Sequence, residues 1–200
     1  MRFVNIVPLA GLLLFIVLLS GRIYFLRKQN VQVTSRAPNK NKQSDTLFLV
    51  FILLFILWIF EMAKPAFHFS ISLLPEFLTH FLFNSFFLKF SGTVFIFTAL
   101  ILMAVTLLHF KTSLRFGLDE NNRGKLITTG IFARSRNPFF LSLDFYFLGV
   151  AFIFPNLFFI VFTFLAVLSI HFFILKEEKF LRKMYGNEYE KYTKKVRRYF

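Results

Sequence analysis

The residue types with chemistry to offer gather in the second half of the sequence: Arg134, Arg136, Asn137-Pro138, Asp144, His171 and Glu177-Glu178. Asn137-Pro138 reads as a helix start, because Asn favours the N-cap and Pro at the first helical position forfeits no hydrogen bond. The unpaired N–H groups of that end and the helix dipole are locally positive, and Arg134 and Arg136 add full charges. An anionic group is expected to be welcome there, although two arginines ahead of an apolar helix also serve as ordinary membrane anchors. Asp144 lies about 9 Å further along the same helix. Asn137, Phe140 or Leu141, and Asp144 follow i, i+3/4, i+7 spacing and share one face. A carboxylate inside a membrane helix is costly; it marks a functional interior or a hydrogen bond that fixes packing. His171 and Glu178 stand seven apart, one above the other, while Glu177 points roughly 100° away. Taken alone, the two glutamates among lysines read as a solvated cluster of small energetic weight, and His171 as a packed histidine.

Apolar runs must position these groups. Phe3 to Gly21, Thr46 to Ala63 (stopped by Lys64-Pro65) and Gly92 to His109 read as three membrane spans. Phe67 to Phe90, interrupted by His68, Pro75, Glu76, His80, Asn84 and Lys89, reads as an interfacial or re-entrant segment. Pro138 to Phe154 and Leu157 to Leu175 make a fourth and a fifth run, and the Pro155-Asn156 break turns them into an antiparallel hairpin. In the basic tail, Lys176 to Phe200, Gly186 ends one helix and Asn187 with Glu190 reads as a capping box for the next. The expected fold is an all-α polytopic integral membrane protein of about five transmembrane helices, with a C-terminal helical hairpin and a cytoplasmic helical tail. Residues 1–110 form an N-terminal membrane part with a basic loop at 27–45, and residues 111–200 form the part that carries chemistry.

Composition agrees. The chain is 56% hydrophobic with a mean hydropathy of +0.63. It has no cysteine, which excludes disulfides, thiolate metal sites and a cysteine nucleophile. Its four histidines lack ligand spacing, so no metal is expected. The net charge of +14 sits beside apolar segments rather than along a groove, the pattern of contact with membrane lipids and not of nucleic-acid binding. With the N-terminus outside, 21 of the 24 basic residues fall on one face. The positive-inside rule then places the 111–136 connection and the C-terminus in the cytoplasm, at the inner or cell membrane of a bacterial chain.

Residues 125 to 200 resemble the isoprenylcysteine carboxyl methyltransferase and phospholipid methyltransferase superfamily. The chain reads Leu126-Ile127-Thr128-Thr129-Gly130-Ile131-Phe132, then Arg136-Asn137-Pro138-Phe139-Phe140-Leu141-Ser142. An apolar hairpin follows, then Glu177-Glu178, then Gly186-Asn187-Glu188-Tyr189 with Tyr192 and Val196. It departs from the family pattern at Phe140, where the family has Tyr, and at Ser142, where it has Gly. The resemblance implies binding of S-adenosylmethionine and methylation of a lipidic or prenylated acceptor carrying a carboxylate or an amine. The implied catalytic residues are Arg136, Asp144 and Glu178. Gly130, Arg134, Asn137, Pro138, Phe140, Leu141, His171, Glu177, Glu178 and Tyr189 would hold the cofactor. Two other readings stay open: an NADPH-dependent membrane reductase of the sterol reductase type, and a catalytically degenerate protein that binds a lipid or partner.

Overall fold

The computed structural model describes residues 2–29, 42–68, 70–110 and 126–200. Most of the basic 27–45 loop and residues 111–125 of the later connection lie outside the described residues. The helices are α1 (Val7–Lys28), α2 (Lys42–Phe67), the single turn α3 (Glu76–Thr79), α4 (Phe86–His109), α5 (Pro138–Ile153), α6 (Leu157–Tyr185) and α7 (Asn187–Lys195), with 3-10 turns at Arg2–Ile6 and Gly130–Ala133. Phe3–Lys28, Leu49–Phe67, Phe86–His109 and Leu157–Tyr185 are long and apolar enough to cross a membrane. The fourth apolar run forms α5, only 16 residues long, or about 24 Å against a hydrocarbon core of about 30 Å. The protein is an all-helical polytopic membrane protein.

Several boundaries differ from the sequence expectation for local reasons. Lys64-Pro65 does not stop α2, which continues to Phe67 with Pro65 inside it. A proline in the last turn disturbs little helix beyond itself. The third span begins at Phe86 rather than Gly92 and takes in Lys89, whose ammonium reaches 6.0 Å from the centre of the Phe81 ring. A long side chain can snorkel in this way from an apolar helix. The last span runs past Leu175 to Tyr185 without a break. It ends at Gly186 (φ 52°), whose N–H closes on the Arg182 carbonyl at 3.0 Å. The residue flanking α7 is Gly186, and no side-chain cap is made, so the expected Asn187–Glu190 box does not form.

The Pro155-Asn156 turn is as tight as its composition implies. The Asn156 side chain caps α6 by accepting from the Phe159 N–H at 2.9 Å. The most extensive packing, however, joins α5 to α4. Their backbones meet at two glycines: a Cβ on Gly92 would lie 2.6 Å from the Gly149 carbonyl oxygen, and one on Gly149 would lie 2.7 Å from that of Gly92. Without a hydrophobic drive between helices in lipid, such close approach supplies the van der Waals gain. Trp58 of α2 is fully buried, packed against α5 and α6. Its ring centre is 5.5 Å from those of Phe55 and Phe147 and 5.3 Å from that of Phe162. Tyr146 of α5 donates to the Pro8 carbonyl at 2.7 Å and ties in α1. α5 is thus wrapped by protein, while Val17, Leu53, Phe97, Ile101 and Phe164 of the longer helices are exposed, an apolar girdle of the kind a bilayer covers.

Candidate functional site

Length mismatch within the hairpin builds the site. Returning from the turn, α6 draws level with the start of α5 near residue 172 by helical rise. It then runs on, and that overhang carries Glu177 and Glu178 past the N-terminus of α5. Glu178 is 7% exposed and fully engaged. Its Oε1 accepts from Arg136 Nη2 at 2.8 Å, Arg136 Nε at 3.2 Å and Asn137 Nδ2 at 3.2 Å. Its Oε2 accepts from Arg198 Nη2 at 2.8 Å. Arg136 Nη1 donates to the carbonyls of Val196 at 2.7 Å and Thr193 at 3.3 Å. Four N–H directions of its fork are thereby used, out of about five that a guanidinium offers.

Asn137 occupies the N-cap position but caps nothing with its side chain, which is turned instead to Glu178 and to the Arg198 carbonyl at 3.2 Å. Capping would need the Asn137 side-chain oxygen as an acceptor; the side chain is instead oriented by the donors it gives to a buried carboxylate, and hydrogen bonds to charge are the stronger kind. Pro138 and Leu141 form the buried first turn behind it. Phe140 packs on Phe173 of α6, with ring centres 5.4 Å apart, and Ser142 is buried with its hydroxyl on the Phe139 carbonyl at 2.6 Å.

The connection before α5 is stapled to the C-terminal segment. Arg136 N–H donates to the Arg197 carbonyl at 3.1 Å. Ser135 Oγ donates to the Arg198 carbonyl at 3.3 Å and accepts from Asn137 N–H at 3.2 Å. Tyr192 Oη donates to the Phe132 carbonyl at 2.6 Å. Gly130 takes φ 66° with the His109 ring packed against it, where any Cβ would collide with that ring. Arg134 is exposed and no hydrogen bond joins it to the cluster. Tyr189 is buried beside Arg136 and Glu178, and burial, followed by the Glu178 charge, pushes its phenol up to about 12. The hydrogen bond that Arg198 donates to Glu178 holds its guanidinium above the ordinary range.

A second group lies beside the first. His171 Nδ1 and Tyr199 Oη are 2.8 Å apart with their rings stacked. Burial, followed by the negative charge of Asp144, raises the Tyr199 phenol. Asp144 is 7% exposed, and its Oδ1 has no hydrogen-bond partner among the described residues. Buried Arg198 Nε and Tyr189 Oη are likewise unpartnered. Glu177 is half-buried next to Glu178.

The fold therefore brings Arg136, Asn137, Glu178 and Tyr189 into one cluster, and Asp144 and His171 into its neighbour. It leaves Arg134 outside and Gly130 in a supporting turn. Sequence reasoning missed Arg198 and Tyr199. Both stand in a run that reads only as basic tail, and their partners are 20 and 28 residues away.

A family model described as phospholipid methyltransferase matches residues 87–188, from the first turn of α4 to the start of α7. No curated protein and no solved structure matches the chain.

Proposed function

The chain belongs to the phospholipid methyltransferase family, and from that premise we propose that it is an integral membrane enzyme which uses S-adenosylmethionine to methylate a carboxylate or amine on a lipidic or prenylated acceptor. The observation that carries this reading is the pair of buried, unpartnered atoms beside the Glu178 cluster, an acceptor on Asp144 and a donor on Arg198. The cofactor has a carboxylate, an ammonium and a sulfonium, so it needs both kinds of partner. Arg198 Nε suits the carboxylate, while Asp144 and Glu177 suit the cationic groups. Bound there, S-adenosylmethionine would supply a methyl group activated by the sulfonium.

The protein's own part is positioning. Effective molarities from alignment alone are worth roughly 7–11 kcal/mol. Arg136 and Glu178 saturate each other, so they act as positioning residues that hold the tail over the start of α5. An amine acceptor would lose its proton to Asp144. The charge distribution favours a cytoplasmic position for this end of the bundle; labelling of a Lys195→Cys variant from the outside only would reverse that orientation.

Membranes holding the chain, incubated with methyl-labelled S-adenosylmethionine, are expected to place label in the lipid extract. Cofactor binding without label in lipid or protein would make the chain a binder rather than an enzyme. Binding of NADPH in its place would make it a reductase.

A further inference from the structure

At the other end of the bundle, roughly 30 Å away along α6 by helical rise, lies a cavity of ≈ 330 Å³ lined by residues that the functional reading does not use. Its polar lining is Glu61 and Lys64 near the end of α2, His68 just beyond it, Thr79 of α3 and Asn156 of the hairpin turn, and Phe81 and Phe159 close its walls. Glu61 is 4% exposed. Its Oε2 accepts from Lys64 Nζ at 3.0 Å, but its Oε1 is buried with no hydrogen-bond partner among the described residues. A buried carboxylate oxygen left unmatched is expensive, so its retention calls for a donor from outside the chain. Lys64 also spends a donor on Ser72 Oγ at 3.3 Å and, with three N–H groups in all, keeps one for an acceptor. Asn156 is committed to the Thr79 carbonyl and the Phe159 N–H, so it serves as wall.

Charge selects the ligand. A simple cation drawn to Glu61 meets Lys64 beside it, and a simple anion drawn to Lys64 meets Glu61. A molecule carrying an ammonium and a phosphate a few bonds apart satisfies both. The ammonium must bear N–H groups, because the free Glu61 oxygen needs a donor and not merely a positive charge. Phe67, Leu73, Phe83 and Leu157, the chain neighbours of the rim, are exposed, which suits acyl chains leaving the cavity for the bilayer. The volume is at the lower end of small-molecule sites, room for a headgroup and not for its chains. We propose that this cavity holds the headgroup of a zwitterionic aminophospholipid, at a site separate from the Glu178 cluster.

Native mass spectrometry of the detergent-purified chain would test this with phosphatidylethanolamine, phosphatidylcholine and phosphatidylglycerol of identical chains. One phosphatidylethanolamine should be retained about tenfold more tightly than either of the others. Glu61→Gln and Lys64→Gln should each erase that preference, and Lys176→Gln, an exposed position at the opposite end, should keep it. Equal retention of the three lipids, or a preference lost in Lys176→Gln and kept in Glu61→Gln, would overturn the proposal. Soluble phosphoethanolamine should fail to displace the lipid; displacement would reassign the cavity to a free zwitterion. Because the readout is binding without cofactor, failure here leaves the methyltransferase reading untouched, and absence of methylation leaves this site untouched.

Discussion

Glu178 and Glu61 are both buried carboxylates in membrane helices, each paired with a base, yet they are opposites in saturation. Glu178 receives hydrogen bonds from Arg136, Asn137 and Arg198 on its two oxygens. Glu61 has one lysine on one oxygen and, among the described residues, nothing on the other. The cost of burying charge is met inside the chain at the first and left partly open at the second. A saturated carboxylate therefore reads as a clamp between segments, and an unsaturated one as a place for something to bind. Asp144, with a bare Oδ1, falls with Glu61 in this respect although it lies beside Glu178.

Replacing Glu178 tests the clamp most severely. Glu178→Ala leaves Arg136 and Arg198 facing each other without their anion, and breaking a buried pair from one side costs about 3–5 kcal/mol. The loss should be local to the tail. Limited proteolysis is expected to cut near Gly186 in the variant and not in the parent, while the membrane helices melt nearly as before. An intact tail would mean that the hydrogen bonds to Val196 and Thr193 suffice to hold it.

Asp144→Asn is the converse case. With no partner to lose at Oδ1, stability should shift by less than about 1 kcal/mol. Methyl transfer should fall by roughly a hundredfold or more if the carboxylate takes a proton. A stability loss as large as that of Glu178→Ala would class Asp144 as structural.

How much of this was visible in the sequence depends on the range of the interactions. The hairpin turn was legible because Pro155 and Asn156 act on their own neighbours, and the helix end at Gly186 because a positive φ is a local demand. The Glu178 face could be anticipated from its spacing to His171. The saturation of Glu178 could not, since Arg198 reaches it only when the chain returns after α7. The α4–α5 seam was equally hidden: Gly92 and Gly149 stand in separate apolar runs, and nothing in either run's periodicity marks them as partners. Glu61 reads in sequence as one charge at the end of a span; its bare oxygen becomes visible only once α3 and the hairpin turn close around it.

The seam supplies a control that touches neither carboxylate. Gly149→Ala puts a methyl group 2.7 Å from the Gly92 carbonyl oxygen, and overpacking of this kind costs about 1–3 kcal/mol. Thermal unfolding in detergent should drop accordingly, with no new protease site near Gly186. Cleavage there would mean that the tail's docking depends on how α5 is seated against α4, and that the clamp is not a local device.

The smallest effect, and the sharpest division between the two kinds of carboxylate, is expected at Glu177. It adjoins Glu178 on α6 but projects from a different part of the helix, is half-buried, and takes no part in the hydrogen bonds that hold the tail. Glu177→Gln keeps the shape and removes one charge from beside Glu178, so the tail should stay docked and stability should move by less than about 0.5 kcal/mol. Its contact with a bound cation resembles a partly exposed ion pair, worth about 0–1 kcal/mol, or about fivefold or less in affinity. Calorimetric titration of the variant with S-adenosylmethionine measures that directly. A loss of tenfold or more with the tail still protected from protease would identify Glu177 as the carboxylate that meets the cofactor. Glu178 would then be left as a clamp alone, and the pairing of adjacent glutamates would divide cleanly into one that holds the protein and one that holds the ligand.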